Sequence, residues 1–554
     1  MRGITLQVGV LLPFLVPAFG QTQQSFQRPP LLSDNNFATS WTSPPPRNAT
    51  HHLFFDTIST LLTHWTHTRY RNGHTVALAS IPTGTLLYHA TGEDIIPDYP
   101  EWLATDWDHS MLFCRQMGFR RPPPPPDKAT TSRNSDPAKP CHHLTVKTIR
   151  PLQLLYFDGS SAAKMSKGPM DTQDLVAWGA PDDSRVNDER ARIHDLCARA
   201  KEKGWLVDGF VRMEMDFEVM LCGFDEEHGV AVVSFLPHPV VIPPPSKSAD
   251  KRIFSATLRV IEAGSWHDNL PGDTRIQIDY SRFISFYDTH LFPSLIPTRT
   301  NASNTRFDYR AGLISPLERA VFEKKLKELV TSAPSQSGVD WKTLLHGVRK
   351  RNVGRLETLA YTLQNKHENE DLHLVAVEGH VRSMLIPFIL PDARPMRSWD
   401  GSVSSSESGD KLDWAKETHR LCSKTLTEPF RSPPLSDQLS YSERALVDAV
   451  EGVQGEICRV LVIVWAEAAL VNHDLTRGGK LSPVVWEETR ERWLGLVRSL
   501  MEWLDWSDLS KCDPQCTFEV CFPSLRQFKR KGTNHNVGVL LHAYVAVFLG
   551  ASSR

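Results

Sequence analysis

Apolar and polar residues follow two different patterns along this chain. In the first half, nine short apolar runs are separated by turn residues, which is typical of strands in a mixed sheet. These runs cover residues 75–81, 84–88, 102–104, 144–149, 152–157, 210–213, 217–224, 230–236 and 276–286. Helical spacing of apolar residues also predicts three helices in this half, at 53–68, 108–116 and 187–203.

Beyond Ser315 the helical spacing takes over. It predicts helices at 316–330, 341–349, 353–365, 375–389, 441–471 and 484–506. Ser315 can cap the first of these helices, and Pro316 suits its first turn because no backbone donor is needed there. The second half is therefore predicted to be mainly helical.

These patterns predict an α+β protein with two domains. The mixed-sheet domain spans 51–292 and contains Pro-rich insertions near 120–140 and 242–251. A linker at 293–315 leads to the helical domain. The helical domain spans 316–510 and has a flexible insertion near 396–412. Residues 21–50 contain too few apolar side chains to order themselves and are predicted to be a disordered leader. The chain ends with a cysteine cluster at 511–526 and a basic stretch with an apolar tail at 527–554.

Residues 1–20 have the pattern of a secretory signal peptide. Their apolar run is interrupted by Pro13 and Pro17 and is too short for a membrane-spanning helix. The protein is therefore predicted to be secreted, and the sequons at Asn48 and Asn301 favour a glycoprotein. The apolar tail leaves two alternatives open, an anchor signal that would tie the protein to the cell surface and a terminal element docked on the protein.

Composition narrows the classes of partner. The 554 residues include 62 Lys and Arg against 64 Asp and Glu, and the net charge of -2 provides no field that would attract nucleic acid. In an exported protein, the nine cysteines predict disulfides with one thiol left over. Cys512, Cys516 and Cys521 are expected to form a small disulfide knot. No metal is predicted, because the histidine pairs at 64 and 67 and at 142 and 143 are incomplete ligand sets.

Four segments of the first half suggest chemistry when they are taken together. They are a strand that ends near residue 91, a strand and helix start at 101–114, a helix end that leads into a buried strand at 200–211, and a strand at 217–224. Six polar or aromatic side chains mark these segments: His89, Thr91, Trp102, Ser110, Phe113 and Glu218. In this order, over residues 84–224, the segments resemble the ADP-ribosyltransferase superfamily.

The resemblance implies an ADP-ribosyltransferase-like fold for the first domain, with NAD as its substrate. Five residues would contact NAD: His89 on a ribose hydroxyl, Thr91 in support of it, Trp102 and Phe113 as stacking faces, and Ser110 on the carboxamide. Glu218 would stabilise the positive charge that develops on the ribose when nicotinamide leaves. His89 and Glu218 are thus the implied catalytic residues, and the implied reaction is transfer of ADP-ribose to an unknown acceptor or hydrolysis of NAD.

Two positions depart from the pattern of that superfamily. Trp102 stands where tyrosine is usual, and Ala90 follows His89 where glycine is common. A side chain at Ala90 would crowd the nicotinamide pocket. The departures leave open a non-catalytic protein that uses the same fold as a binding scaffold, and Glu214 is an alternative to Glu218 as the functional carboxylate.

The first half, including 154–164 and 171–174, also looks like a group of uncharacterised secreted fungal proteins. Asp158, Asp171 and Asp174 fall in a stretch of this half that is interpreted as a Gly- and Ser-rich loop. Such carboxylates can serve a hydrolase as a pair, and solvation of an exposed loop explains them equally well.

Overall fold

The structure is a computed structural model that describes residues 40–64, 70–114, 140–213, 216–238, 260, 264–393, 412–475 and 481–509. The chain falls into two units, Met1–Ser43 and Pro44–Arg554. Residues 40–43 are the described part of the first unit, and they form a turn in which the Ser43 amide donates to the Ser40 carbonyl. The predicted signal peptide, the insertion near 242–251, the cysteine cluster and the apolar tail lie outside the described residues.

The strands of the second unit form a nine-stranded sheet in the described part of the chain. They are β1 (Thr75–Ile81), β2 (Leu86–Thr91), β3 (Glu101–Ala104), β4 (Cys141–Thr148), β5 (Leu152–Phe157), β6 (Gly209–Met213), β7 (Phe217–Leu221), β8 (Val230–His238) and β9 (Gln277–Ser285). Their order across the sheet is β8-β4-β2-β3-β7-β6-β5-β1-β9. All nine predicted strands are confirmed, with end points that differ by a few residues.

Twelve α-helices accompany the sheet in the described ranges. They are α1 (His51–Ser59), α2 (Trp107–Ser110), α3 (Asp171–Trp178), α4 (Glu189–Glu202), α5 (Ile296–Thr300), α6 (Pro316–Thr331), α7 (Trp341–Gln364), α8 (Glu370–Leu385), α9 (Lys416–Lys424), α10 (Leu435–Gln438), α11 (Tyr441–Leu475) and α12 (Pro483–Leu504). The predicted α+β class, with a mixed sheet followed by a helical half, is confirmed. Of the helices that the structure describes, none is both long and apolar enough to cross a membrane.

One strand pair explains why helices interrupt the first half. β5 and β6 are parallel, whereas the other neighbours are antiparallel. Parallel neighbours need a crossover connection, and α3 and α4 supply it. Leu175 and Leu196 of these helices belong to the same buried cluster as Leu155 and Phe210 of the two strands. The crossover therefore buries one face of the sheet at its centre.

The same core continues into the second half of the chain. Phe322 and Leu326 of α6 belong to one buried cluster with Val76 and Phe157 of the sheet. As predicted, α6 begins with Pro316 after the Ser315 cap, and Glu318 completes a capping box with Ser315. The predicted domain boundary at 293–315 stays a prediction.

The interpretation of Asp171 and Asp174 as loop residues is wrong. Both lie in the first turn of α3 and are buried. Arg310 binds Asp171 at 2.7 Å, and Arg192 binds Asp174 at 2.9 Å. Each carboxylate therefore holds a separate arginine in place, which removes the reason to pair them as a hydrolytic site.

The predicted disulfides are confirmed in the described residues. The bonds are Cys114–Cys141, Cys197–Cys222 and Cys422–Cys458. The second of them ties α4 to the end of β7, beside the crossover. The remaining three cysteines, those of the predicted knot, lie outside the described residues.

Candidate functional site

Of the predicted site residues on strands, the sheet places Trp102 and Glu218 on one face and directs His89 to the other. In the register of β3 and β7, Ala104 lies opposite Glu218 and Trp102 opposite Met220, so Trp102 and Glu218 share a face. Tyr88 of β2 also lies opposite Ala104. Because side chains alternate along a strand, His89 points to the opposite face. Trp102 and Glu218 thus lie on one face of the sheet, whereas strand alternation directs the His89 side chain to the other face.

His89 joins two strands of the sheet. Its Nδ1 lies 2.6 Å from the backbone oxygen of Trp102, and its ring lies near Phe113 and Phe224. Burial lowers the pKa of His89 to about 4. The neutral imidazole then carries its hydrogen on Nδ1 and donates it to the carbonyl of Trp102. This bond links β2 to β3 beside the Tyr88–Ala104 pair.

The smaller predicted residues have partners within the protein. The Thr91 hydroxyl accepts from the Glu93 amide at 3.2 Å. The buried Ser110 hydroxyl donates to the Trp107 carbonyl at 2.7 Å and lies 2.9 Å from Nε2 of His143. The donor of Ser110 is thus used internally, so a carboxamide could bind this hydroxyl only by donating to it.

Glu218 lies at the beginning of β7, and the buried Arg212 of β6 binds its carboxylate. Nε of Arg212 lies 2.7 Å from Oε2 of Glu218, and Nη1 of Arg212 lies 2.5 Å from Oε2 of Glu189. Burial raises the pKa of Glu218, but the positive charges of Arg212 and His109 outweigh it and hold that pKa far below its usual range. Glu218 is therefore an ionised carboxylate, and its side chain remains 12% exposed.

Trp102 stands beside this ion pair. The guanidinium of Arg212 lies over its indole ring, 5.5 Å from the centroid, at a distance that allows a cation–π interaction. The indole Nε1 is buried, and within the described residues it has no hydrogen-bond partner. Trp102 thus carries one unused, buried donor on a ring that contacts Arg212.

His109 is a site residue that the sequence analysis missed. Asp106 caps the short helix α2 and orients the backbone of His109. Nε2 of His109 then lies 3.6 Å from Oε1 of Glu218, and its Nδ1 lies 4.0 Å from Oδ2 of the buried Asp216. Burial lowers the pKa of His109, but Glu218 and Asp216 raise it by more, and the net shift is upward. The imidazole therefore favours its charged form between two carboxylates.

More imidazoles and carboxylates extend this cluster away from Glu218. Nε2 of His267 lies 3.1 Å from Oδ1 of Asp216, and its Nδ1 lies 3.9 Å from Asp273. Nδ1 of His64 lies 2.8 Å from Oδ1 of Asp268. His64 belongs to one of the histidine pairs that the sequence analysis judged to be incomplete metal sites. Within the described ranges, no group of three or more His, Cys, Asp and Glu residues could hold a metal ion.

One sequence signal could have indicated this cluster. Asp216 and Glu218 are two residues apart at the start of a strand, so both carboxylates point the same way. His109 and His267 carry no comparable signal, because the fold brings them to Asp216 from more than 50 positions away on either side. Glu214, the alternative carboxylate, lies outside the described residues.

The lowered pKa of His89 predicts how stability depends on pH. Between about pH 6.5 and 4, the unfolded chain protonates this histidine and the folded protein does not, so stability falls as the pH falls. Lowering the pH from 7 to 5 should cost about 2 kcal/mol through His89. The variant His89→Asn, which keeps a donor for Trp102, should lose about 2 kcal/mol less over that interval in urea unfolding.

The exposed His194 provides the control for this experiment. His194→Asn should keep the pH dependence of the wild type. An unchanged slope in His89→Asn would contradict a neutral, buried His89.

Comparisons with known proteins point to relatives without an assigned activity. Residues 122–241 match the family described as the YPL277C N-terminal domain. The chain is similar to the uncharacterized protein YOR389W of Saccharomyces cerevisiae, with 26% identity over 545 residues that cover 84% of this chain and 80% of the relative. It is also similar to the uncharacterized yeast protein YPL277C, with 25% identity over 392 residues that cover 57% of this chain and 76% of the relative. No solved structure matches the chain at a significant level.

These similarities confirm the expected likeness to uncharacterised fungal proteins. They bring no support to the ADP-ribosyltransferase resemblance, which stays a prediction.

Proposed function

We propose that this protein cleaves the bond between nicotinamide and ribose in NAD and passes ADP-ribose to an acceptor or to water. The observation that carries the proposal is the state of Glu218. It is ionised, fixed by Arg212 and partly exposed, and it shares a sheet face with Trp102. A carboxylate held in this way stabilises a developing positive charge without having to reorganise.

The reaction balances without any further reactant. The bond from the ribose carbon to the nicotinamide nitrogen breaks, and its electron pair leaves with nicotinamide, which becomes neutral. Glu218 stabilises the cationic ribose until the acceptor or water attacks and releases a proton. Arg212 and His109 act as positioning residues, because each binds one oxygen of the Glu218 carboxylate.

The proposal changes the role that the resemblance implied for His89. Its place on the opposite face and its bond to the Trp102 carbonyl favour support of the sheet over contact with the ribose. The ligand contacts of Thr91, Ser110 and Phe113 remain predictions.

We further propose that the protein is an exported glycoprotein. Three disulfides in the described residues fit an oxidising compartment. The sequon residues Asn48 and Asn301 are both exposed, as an attached glycan requires.

A non-catalytic binding scaffold is the second candidate. Internal bonds occupy His89 and Ser110, two of the six residues that the resemblance singled out. In a protein without catalytic activity, His89 and Ser110 would contribute to stability alone.

Release of nicotinamide from NAD by the full-length protein tests the two candidates. The wild type should release nicotinamide, and Glu218→Gln, which keeps the shape of the side chain and removes its charge, should be slower by about 100-fold or more. Glu226→Gln alters an exposed glutamate near the end of β7 and should match the wild type.

Urea unfolding of each variant separates loss of chemistry from loss of fold. If the folded wild type neither turns over NAD nor binds it in calorimetry, the enzymatic proposal fails and the scaffold remains. Equal turnover by the wild type and Glu218→Gln would exclude Glu218 from the reaction.

A further inference from the structure

A cavity of about 530 Å³ lies apart from the Glu218 site. Its walls are the first half of β9, the loop at 334–340 and the first turn of α7. Its volume falls in the range of about 300–1,000 Å³ that is typical of sites for small molecules. The residue pattern of this region indicated only a strand, a turn and a helix, so the cavity is a product of the fold.

Three carboxylates line the cavity, and the protein binds each of them. Asp279 accepts from Nε of Arg282 at 2.7 Å, and Asp340 caps α7 by accepting from the Thr343 amide at 3.0 Å. Glu443 accepts from the Trp341 indole at 3.0 Å. The lining therefore holds more negative than positive charge, which disfavours an anionic ligand.

Tyr280 and Lys342 are two of the donors in the lining of this cavity. Burial raises the pKa of Tyr280, so its hydroxyl keeps its hydrogen at neutral pH. Burial lowers the pKa of the half-buried Lys342, and the charges of Asp273 and Asp340 oppose this shift only in part. Both carboxylates have other partners, because Asp273 is bound by Arg275 and Asp340 caps α7. The cavity thus combines donors with carboxylate oxygens that can accept additional hydrogen bonds.

We propose that this cavity binds a neutral molecule with several hydroxyl groups, of the size of a monosaccharide. The ligand hydroxyls accept from Tyr280 and Lys342 and donate to Asp340 and Asp279, so each hydroxyl finds a partner without any net charge on the ligand. Serine hydroxyls in the loop at 334–340 add small polar groups to the wall. The proposal does not depend on NAD chemistry, because none of these residues touches the Glu218 site.

Saturation-transfer NMR on the full-length protein tests the proposal. The probes are D-glucose, D-mannose and N-acetyl-D-glucosamine, with phosphate and citrate as anionic alternatives. At least one sugar should give a signal, and Tyr280→Phe and Lys342→Met should each weaken its Kd by about tenfold or more, which is the loss expected for a hydrogen bond to a buried or charged donor. Lys324→Met, which removes an exposed lysine from α6, should leave the Kd unchanged.

Three results would overturn this assignment. The absence of a signal from every sugar would exclude a sugar site. An unchanged Kd in both folded variants, Tyr280→Phe and Lys342→Met, would place the bound sugar elsewhere on the protein. Binding of phosphate or citrate alone, lost in Lys342→Met, identifies an anion site. Urea unfolding of Tyr280→Phe and Lys342→Met verifies that both variants are folded.

Discussion

Replacing Asp56 by asparagine is expected to lower the free energy of unfolding by about 3–5 kcal/mol, the usual cost of removing one member of a buried ion pair. Asp56 on α1 binds Nη1 of Arg349 and Nη2 of Arg306, both at 2.7 Å. The Arg349 side chain is fully buried and that of Arg306 is 8% exposed. Asparagine cannot neutralise the two arginines, and the carboxylates that remain, Asp508 at Arg349 and Asp505 at Arg306, offset their desolvation only in part.

Urea unfolding followed by tryptophan fluorescence measures the effect of Asp56→Asn. Asp392→Asn, at an exposed aspartate in the turn after α8, should change stability by less than about 0.5 kcal/mol. A loss below about 1 kcal/mol in Asp56→Asn would mean that water or other side chains compensate both arginines.

Removing the disulfide between Cys422 and Cys458 is expected to cost about 4 kcal/mol. Both sulfur atoms are buried, and the bond ties α9 to the middle of α11 across 36 residues. Closing a loop of this length reduces the entropy of the unfolded chain, and the entropic estimate gives this magnitude. The double variant Cys422→Ala and Cys458→Ala should therefore unfold at a lower urea concentration than the wild type.

The remaining disulfides supply the comparison for that experiment. Reductant should destabilise the wild type by more than the double substitution does, because it also opens Cys114–Cys141 and Cys197–Cys222. Equal midpoints for the wild type and the double variant, each without reductant, would show that the bond between α9 and α11 adds nothing to stability.

Patterns along the sequence predicted the strands better than the helices. The strands are short and apolar and are bounded by turn residues, which makes the local signal strong. The helix α7 was predicted as two pieces, because the polar positions Arg349 and Asn352 interrupt its apolar pattern. Both residues are buried, and Arg349 faces Asp56. Local periodicity cannot reveal a buried charge whose partner lies 293 residues away.

The helix α3 was missed for a related reason. Its first turn contains Asp171 and Asp174, which look like loop residues when they are read alone. Arginines from other elements, Arg310 at 139 positions from Asp171 and Arg192 on α4, neutralise them inside the protein. Tertiary partners of this kind override a local preference for solvent.

The candidate site was predicted in part. Trp102 and Glu218 do share a face, because both were placed on strands that turned out to be neighbours. The face to which His89 points depends on the register between β2 and β3, and no feature of either strand alone fixes that register. His109 escaped notice because its importance comes from Asp216 and Glu218, which lie more than 100 residues away.

The join between β2 and β3 has a consequence for comparing this chain with its relatives. Within these two described strands a single pair, Tyr88 and Ala104, is in register, and the side chain of His89 adds a second link through the carbonyl of Trp102. A histidine at this position supports the sheet in any relative that keeps these two strands, independently of the proposed cleavage of NAD. Retention of His89 among relatives is therefore expected from the sheet alone, whereas the proposed cleavage of NAD requires retention of Glu218 and His109.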